Sequence, residues 1–313
     1  MDKFDELKNK FPEIKVNVSL KNYCNYKIGG VAKGVYEANS AEDLVEIVRF
    51  SKREGISFYL IGKGTNVLFL DEGFDGLIIV NKTNEIVIME KGDKNSIIRV
   101  DSGVTIAGLI SFGLKNNIGG MASFYCLPGT IGGAVYGNAG SFGMEIKDVL
   151  FKVEFYDLDL DIIVEKDRDE LYFGYRDSIF KKKNNWIILK AYLKCENLDS
   201  NLEEYQKNLK EIAVKRTGKQ PFGASCGSFF KNVYLEDGTV LYAGKMIEEC
   251  GLKGEKIGGA QISPQHGNFI LNKDNASSED VLKLASLAKE KVRERFSVEL
   301  QEEVRVGGGI TDY

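Results

Sequence analysis

The sequence has 313 residues, enough for two or three compact domains, and its 43% hydrophobic and 28% charged content is typical of a soluble globular protein. A net charge of −4 and a pI near 5.4 argue against general electrostatic binding of nucleic acid. No apolar run reaches the roughly 20 residues that a membrane helix needs, and the polar N-terminus predicts neither a signal peptide nor an anchor.

Cysteine and histidine usage narrows the chemistry further. The five cysteines are dispersed and never form a C-x-x-C pair, which predicts free thiols in a reducing cytoplasm. The single histidine, His266, makes a His-based metal site or a Ser-His-Asp triad hard to build. We therefore expect a cytoplasmic protein without a bound metal, in which any anion is met by helix N-termini, backbone amides or particular Lys and Arg side chains.

The first third of the chain alternates helical and strand-like patterns. Ser40 begins a sequence that resembles a capping box, and the helix that follows is predicted to end at Gly55. An apolar strand is predicted at Phe58–Ile61. Further strands are predicted at 76–80, 86–89 and 97–100, and a helix at 104–116.

A glycine-rich passage at 127–143 then shows no clear period. Beyond it, an amphipathic helix at 202–216 is predicted to connect two domains. The other predicted elements are strands at 149–156, 186–195, 269–271 and 298–306, a short helix at 241–250 and a long helix at 278–296.

Two glycine-rich loops suit phosphate binding. The loop Gly62-Lys63-Gly64-Thr65-Asn66 follows a strand, where backbone N–H groups can point at a phosphate. A plain strand-ending turn fits it as well, because it lacks the third glycine of G-x-G-x-x-G and the Lys-Ser/Thr of a Walker A loop. The stretch from Pro128 to Gly140 is too apolar for a solvated linker and nearly free of bulky side chains, so it can lie against an extended ligand. The alternative is a close-packed bend between domains.

These loops, with Asn25-Tyr26-Lys27-Ile28-Gly29-Gly30 upstream, carry a family resemblance. They match, in order, the signatures of the UDP-N-acetylenolpyruvoylglucosamine reductases. The resemblance implies an α+β protein, with a vanillyl-alcohol-oxidase-like two-lobed FAD-binding fold in residues 1–80 and 81–200. Residues 201–313 would form a C-terminal α+β substrate-binding domain whose last strand returns to the active site. Non-covalent FAD would be held by Ile28, Gly29, Gly62, Lys63, Gly64, Thr65, Asn66, Pro128, Gly129, Thr130, Gly132, Gly133, Ala134, Asn138 and Gly140.

Three polar residues are candidates for the chemistry. Arg176, in Phe173-Gly174-Tyr175-Arg176-Asp177-Ser178, can reach a carboxylate bidentately, although a structural pair with Asp177 fits as well. Ser228, between Gly227 and two phenylalanines, could donate a proton in a water-poor pocket, whereas a turn serine is the ordinary alternative. Glu303 lies on the polar face of the predicted strand at 298–306, where a salt bridge to a neighbouring strand is the alternative; Glu302 would fall on the apolar face.

The resemblance assigns roles to these residues and to several others. Ser228 would protonate the substrate carbon, and Arg176 and Glu303 would be catalytic, although Gln301-Glu302 replaces the family's Glu-Pro before Glu303. The residues that match substrate-binding positions are Tyr175, Lys219, Asn232 and His266. Cys226 is more consistent with a small packed residue than with a thiol catalyst, and Cys24 stands where the family usually has threonine.

The implied activity is the NADPH-dependent reduction of the enolpyruvyl group of UDP-N-acetylglucosamine enolpyruvate to UDP-N-acetylmuramate in peptidoglycan synthesis. NADPH and the UDP-sugar would be the partners of a monomer that binds neither nucleic acid nor membrane. No long insertion separates Arg176 from Lys219, which indicates the shorter of the family's two forms. One alternative is an FAD-dependent alcohol or sugar oxidase of the same fold, in which Ser228 and Glu303 would be unexplained. The other is a non-catalytic sugar-nucleotide-binding protein.

Overall fold

The computed structural model describes residues 3–198 and 201–307. Within these residues the helices are α1 (Lys3–Lys10), α2 (Ala41–Glu54), α3 (Ile106–Lys115), α4 (Ile131–Tyr136), α5 (Leu202–Lys219), α6 (Ala243–Glu249) and α7 (Ser278–Phe296). The strands are β1 (Lys15–Ser19), β2 (Val31–Ala38), β3 (Phe58–Ile61), β4 (Val67–Phe69), β5 (Phe74–Asn81), β6 (Ile86–Lys91), β7 (Asn95–Asp101), β8 (Gly140–Ser141), β9 (Met144–Glu145), β10 (Leu150–Asp157), β11 (Ile162–Asp167), β12 (Trp186–Glu196), β13 (Val233–Tyr234), β14 (Val240–Leu241), β15 (Lys256–Ile257), β16 (Ala260–Ile262), β17 (Ile270–Asn272) and β18 (Arg305–Gly307).

The first sheet has the order β1-β2-β5-β3, and its strands are parallel except for β1. Its central strand β5 is an unbroken apolar run because both of its faces are covered. Leu77 and Ile79 pack into the cluster that contains α2, whereas Ile78 and Val80 point the other way and share a cluster with α7. The N-terminal sheet is thereby joined to the C-terminal part of the chain through a common core.

Helix α2 has the boundaries that its sequence predicts. The Ser40 hydroxyl accepts a hydrogen bond from the Asp43 N–H at 3.1 Å, which satisfies one of the free amides of the first turn. Gly55 ends the helix at φ +64°, a conformation that glycine adopts without steric cost. The predicted capping residue and the predicted stop at Gly55 are both confirmed.

The second sheet is antiparallel, with the order β11-β10-β12-β7-β6. Its inner face packs against α3 and α4 in one hydrophobic cluster. Tyr205 and Leu209 of α5 belong to the same cluster, and the Tyr205 hydroxyl accepts a hydrogen bond from the Met121 N–H at 3.3 Å. The first half of α5 therefore packs on the second sheet, and its end reaches the cavity described below.

The C-terminal part contains α6, α7 and a small antiparallel sheet of β15, β16 and β17. The last strand, β18, leaves this part and pairs in parallel with β4, so that Arg305 lies opposite Val67. In residues 3–198 and 201–307, no helix combines the length and apolarity needed to cross a membrane.

Two sequence predictions need correction. The glycine-rich passage at 127–143 contains the short helix α4, whose Thr130 hydroxyl accepts a hydrogen bond from the Gly133 N–H at 3.3 Å. The strand predicted at 298–306 is wrong, because regular strand geometry begins only at Arg305. The N–H groups of Glu303 and Val304 both point at the Phe229 carbonyl, at 2.8 and 3.5 Å, and this bend interrupts the alternation of faces.

Candidate active site

A cavity of about 660 Å³ lies where several loops meet. Its lining includes the 62–66 loop after β3, residues 127–130 and 132–134 at the start of α4, and Arg176 on the loop between β11 and β12. Residues 225–228 and Glu303 complete one wall. The cavity is large enough for a ligand of cofactor size, and segments distant in sequence form its lining.

Glycines allow the two phosphate-loop candidates to approach each other. A Cβ on Gly62 would lie 2.4 Å from the Thr130 hydroxyl oxygen, and a Cβ on Gly132 would lie 2.8 Å from the Ser102 Cβ. Gly64 has φ +61°, and a Cβ there would be 2.0 Å from the Tyr23 carbonyl oxygen. Side chains at these positions would push the loops apart, so the walls of the cavity depend on the glycines.

The two loops differ in how many amides they can offer a ligand. The N–H groups of Ile131 and Gly132 donate to the carbonyls of Val104 and Ser102, at 2.9 and 2.8 Å. By contrast, nothing in the described part of the chain accepts a hydrogen bond from the N–H groups at positions 63, 64 and 65. Because unused backbone donors suit anions, the 62–66 loop offers more free amide donors to a phosphate than the first turn of α4.

Arg176 is presented on a tight two-residue turn. Gly174 and Asp177 exchange backbone hydrogen bonds of 3.0 and 3.2 Å, and Arg176 adopts φ +53°, which is uncommon for a residue with a side chain. Its Nε lies 2.8 Å from Glu303 Oε1, with each side chain 21% exposed. The Nε–H has no hydrogen-bond partner of good geometry, so this contact is an ion pair of poor alignment. A second guanidinium nitrogen donates to the Gly140 carbonyl at 3.1 Å.

Ser228 reaches the same wall through a short backbone pairing. Lys231 N–H donates to the Gln301 carbonyl at 2.8 Å, and Glu303 N–H donates to the Phe229 carbonyl at 2.8 Å. This pairing sets Ser228 beside Glu303, and both side chains line the cavity. Of the two adjacent glutamates, Glu303 faces the cavity, whereas Glu302 forms an ion pair with Lys289 of α7 at 2.6 Å.

Asn268 holds the phenylalanines after Ser228 in place. Its side chain accepts from the Phe230 N–H at 2.9 Å and donates to the Phe230 carbonyl at 2.8 Å. The backbone carbonyl of Asn268 also accepts a hydrogen bond from the Phe229 N–H at 2.8 Å. Cys226, two residues before Ser228, is buried, and burial raises the pKa of its thiol well above the ordinary value. It is a packed residue, as the sequence predicts.

Sequence reasoning missed Arg216, which lines the cavity and is 6% exposed. Its guanidinium donates to the carbonyls of Tyr125 and Ser123 and to the Ser141 hydroxyl, at 3.0, 3.1 and 2.6 Å. No carboxylate lies within ion-pair distance of it among the described residues, and burial lowers the pKa of the guanidinium. A signal was available, since Arg216 continues the buried α5 face of Tyr205, Leu209 and Ile212.

Two further cavity residues were not singled out from the sequence. Arg305 lies over the rings of Tyr59 and Tyr136, with its guanidinium carbon 5.0 and 4.9 Å from their centroids. Lys181 donates to the Arg176 carbonyl at 2.5 Å. Both side chains add positive charge to the lining.

Some residues proposed for cofactor binding lie outside the lining. Ile28 is fully buried, and Gly29 packs against Phe69. Asn138 is also buried, and its amide donates to the Gly174 carbonyl at 2.8 Å. These three positions support the loops around the cavity. The predicted cofactor-binding residues in the lining are Gly62, Lys63, Gly64, Thr65, Asn66, Pro128, Gly129, Thr130, Gly132, Gly133, Ala134 and Gly140.

None of the four residues proposed for substrate binding is part of the cavity lining. The Tyr175 hydroxyl accepts from the Asn232 N–H at 3.2 Å, and the Asn232 side chain accepts from the Ala243 N–H at 3.1 Å. Lys219 is exposed at the end of α5. His266 packs against Phe269 and accepts from the Asn268 N–H at 3.2 Å, and burial lowers the pKa of its imidazole. The structure thus joins Tyr175 to Asn232, and Lys219 directly precedes Gln220, which lines the cavity.

Comparisons with known proteins agree on one family. Residues 219–307 match the model of the UDP-N-acetylenolpyruvoylglucosamine reductase C-terminal domain, and residues 32–163 match an FAD binding domain. A UDP-N-acetylenolpyruvoylglucosamine reductase of Caldanaerobacter subterraneus is 36% identical over 97% of both chains. That of Fervidobacterium nodosum is 38% identical over 93% of this chain and 91% of its own. The chain belongs to the UDP-N-acetylenolpyruvoylglucosamine reductase family.

A solved structure supports the same membership. The crystal structure of the reductase from Thermus caldophilus covers 94% of this chain and 99% of its own, with 30% identity and a TM-score of 0.75. The fold class expected from the sequence, an FAD-binding fold followed by an α+β C-terminal domain, is confirmed. The chain is therefore an FAD-dependent oxidoreductase of this family. The domain limits near residues 80 and 200 stay predictions.

FAD fits the residues present. The glycine-dependent walls leave room for an extended ligand, and the unused amides of the 62–66 loop with the buried Arg216 provide donors for a diphosphate. The lining at 62–66 offers neither histidine nor cysteine for a covalent link to a flavin. Non-covalent binding is the mode that this loop supports.

Proposed function

We propose that the chain uses NADPH to reduce the enolpyruvyl group of UDP-N-acetylglucosamine enolpyruvate to UDP-N-acetylmuramate, a step of peptidoglycan synthesis. The observation that carries this proposal is the meeting of Ser228, Arg176 and Glu303 at one cavity, within a chain of this reductase family. A hydroxyl that can give a proton thus lies beside an ion pair that can hold a carboxylate.

The reaction needs a hydride, a proton and stabilisation of negative charge. FAD, when bound, supplies the hydride for the vinyl carbon of the substrate. Arg176 is placed to stabilise charge that develops on the substrate carboxylate, since its Nε–H is not committed to a good hydrogen bond. Ser228 then gives its proton to the neighbouring carbon. Lys231, three residues on, is the nearest lysine in sequence to assist a weakly acidic hydroxyl.

Binding follows from the same lining. The 62–66 loop and Arg216 would hold the FAD diphosphate, and Tyr175 with Asn232 would contact the UDP-sugar. Because one cavity contains the chemistry, NADPH and the UDP-sugar would occupy it in turn. We further propose a cytoplasmic monomer, which size-exclusion chromatography with light scattering would test.

Substitution of Ser228 tests the mechanism. In Ser228→Ala we expect NADPH to bleach the flavin at the wild-type rate, while reoxidation by the enolpyruvyl substrate falls on the order of 100-fold or more, in the range lost with a proton donor. Ser111→Ala, which removes an exposed hydroxyl from α3, is the matched control and should leave both reactions unchanged. Anaerobic stopped-flow measurement of the two half-reactions gives both rates.

The outcomes separate the competing functions. Retention of substrate reduction in Ser228→Ala would exclude Ser228 as the proton donor. If an alcohol or sugar reduces the wild-type flavin, and oxygen but not the enolpyruvyl substrate reoxidises it, the protein is an oxidase. A purified chain that takes up no flavin would contradict the enzyme assignment altogether.

A further inference from the structure

Residues 174–177 form a turn that needs support from outside itself. Arg176 adopts φ +53°, a conformation that costs about 1 kcal/mol or more for a residue with a Cβ unless surrounding contacts fix it. The Arg176 guanidinium must nevertheless stay in ion-pair contact with Glu303 Oε1, 2.8 Å from its Nε. The position of the ion pair thus depends on whatever holds the Arg176 backbone.

Besides the hydrogen bonds of the Tyr175 and Arg176 side chains themselves, three side-chain hydrogen bonds hold this region. The Asn138 amide donates to the Gly174 carbonyl at 2.8 Å, and the Ser178 hydroxyl donates to the Tyr136 carbonyl at 2.7 Å. The third comes from Lys181, whose Nζ donates to the carbonyl of Arg176 itself at 2.5 Å. Of the three, only this bond acts directly on the residue in the left-handed conformation.

The charge of Lys181 has little compensation beyond the Tyr136 ring, whose centroid lies 5.9 Å from the amine. The residue is partly buried in the cavity lining, and in the described part of the chain no carboxylate lies within 4.0 Å of its amine. Burial, followed by the charges of Lys231 and Arg305, lowers the pKa of the amine below 10.5, while Asp177 and Glu303 oppose this. A cation held close to other cations without an ion-pair partner is costly for stability, which indicates that the charge serves the site.

Its two neighbours show what an ordinary lysine does in this chain. Lys182 and Lys183 follow directly and are both exposed, and neither lines the cavity. The amine of Lys183 lies 5.8 Å from the Trp186 ring centroid. Three consecutive lysines therefore provide one cavity residue and two surface residues, which makes a matched comparison possible.

We propose that Lys181 is a positioning residue for the reduction of the substrate: its amine fixes the strained Arg176 backbone and thereby the Arg176–Glu303 pair. This inference rests on the proposed function for its kinetic consequence, but its structural consequence stands without it. Lys181 also adds positive potential where the anionic part of the substrate would lie.

The test compares Lys181→Met, Lys181→Arg and the matched control Lys182→Met as FAD-loaded enzymes. In Lys181→Met we expect flavin reduction by NADPH within about twofold of wild type, and kcat for substrate reduction lower by on the order of 10- to 100-fold, with a smaller change in KM. Lys181→Arg keeps the charge and donors and should recover most of the loss. Lys182→Met should match wild type.

Crystal structures of Lys181→Met and Lys182→Met provide a readout apart from activity. We expect Lys181→Met to lose the left-handed conformation of Arg176 or the 2.8 Å contact with Glu303, and Lys182→Met to keep both. An unchanged turn in Lys181→Met, or kinetics equal to those of Lys182→Met, would overturn the positioning role. So would an equal fall in both half-reactions with loss of FAD, which is the signature of a general structural defect. If wild type failed to reduce the substrate, the proposed function would fall, and the structures alone would decide the role of Lys181.

Discussion

The Asn268 side chain should stabilise the protein and also fix the position of residues 228–230 in the wall of the cavity. Its side chain makes two hydrogen bonds, of 2.9 and 2.8 Å, to the N–H and carbonyl of Phe230, and Asn268 and Phe230 are 4% and 2% exposed. Asn268→Ala leaves both Phe230 groups buried without a partner. At about 1–3 kcal/mol for each unsatisfied group, we expect the free energy of unfolding to fall by about 2–6 kcal/mol.

Asn268→Asp makes the effect depend on pH. An ionised carboxylate would be buried against the Phe230 carbonyl oxygen and should cost at least as much as Asn268→Ala, whereas the protonated acid can accept from the Phe230 N–H and donate to the carbonyl, so the loss should shrink as the pH falls. Urea denaturation at one fixed FAD concentration measures both variants, since bound cofactor shifts the apparent stability. Asn208→Ala, on the exposed face of α5, is the control and should stay within about 0.5 kcal/mol of wild type.

The same substitution has a kinetic consequence. Because Phe230 follows Ser228 by two residues, a mobile Phe230 lets Ser228 move relative to Glu303. We expect the folded Asn268→Ala enzyme to reduce its flavin normally but to reduce the substrate more slowly. An Asn268→Ala protein as stable as Asn208→Ala would refute the reasoning, because the two hydrogen bonds would then contribute nothing net.

Three other predictions concern the cavity and His266. Gly62→Ala should purify with little FAD, because its Cβ would lie 2.4 Å from the Thr130 hydroxyl oxygen. Gly218→Ala is the control and should keep FAD, because a Cβ there meets no atom within 4 Å. Absorbance at the flavin bands measures the FAD content of both variants. Arg216→Met should raise the Kd for FAD by on the order of tenfold or more in a fluorescence titration, and an unchanged Kd would mean that Arg216 holds no phosphate. Burial lowers the pKa of His266 in the folded state, so the unfolded chain takes up the proton first as the pH falls. The free energy of unfolding of the wild type should therefore decrease below about pH 6.5. Urea denaturation should show a smaller decrease for His266→Gln between about pH 7.5 and 5.5.

The sequence was most informative where local chemistry decides the structure. Helix α2 follows from Ser40 and Gly55, and the buried run of β5 marks a strand with both faces covered. Helix α4 was not predicted within the glycine-rich passage, because three of the six residues of the helix are glycine or alanine and give no apolar periodicity. The error at 298–306 has another cause. There the chain bends to follow Phe229–Lys231, and such a contact across about 70 residues leaves no local trace.

Sequence patterns identified individual residues of the candidate site but not how the fold brings those residues together. Ser228, Arg176 and Glu303 were each named, yet their meeting depends on the pairing of residues 229–231 with 301–303 and on the left-handed turn at Arg176. Arg216 was within reach, because a charged residue that continues an apolar helix face is unusual. Lys181 could not have been identified from the sequence, since nothing there distinguishes it from Lys182 and Lys183.

The distribution of charge explains why composition alone was a poor guide to the ligands. The chain carries a net charge of −4, which by itself disfavours dinucleotides and sugar diphosphates. The charged residues that line the cavity are five cations, Lys63, Arg176, Lys181, Arg216 and Arg305, and one carboxylate, Glu303. Since charges more than about 10 Å apart are largely screened at ordinary salt, an anion in the cavity responds to this local excess and not to the net charge. FAD is an anion, and so are the NADPH and UDP-sugar of the proposed reaction, so this cationic lining suits each of them.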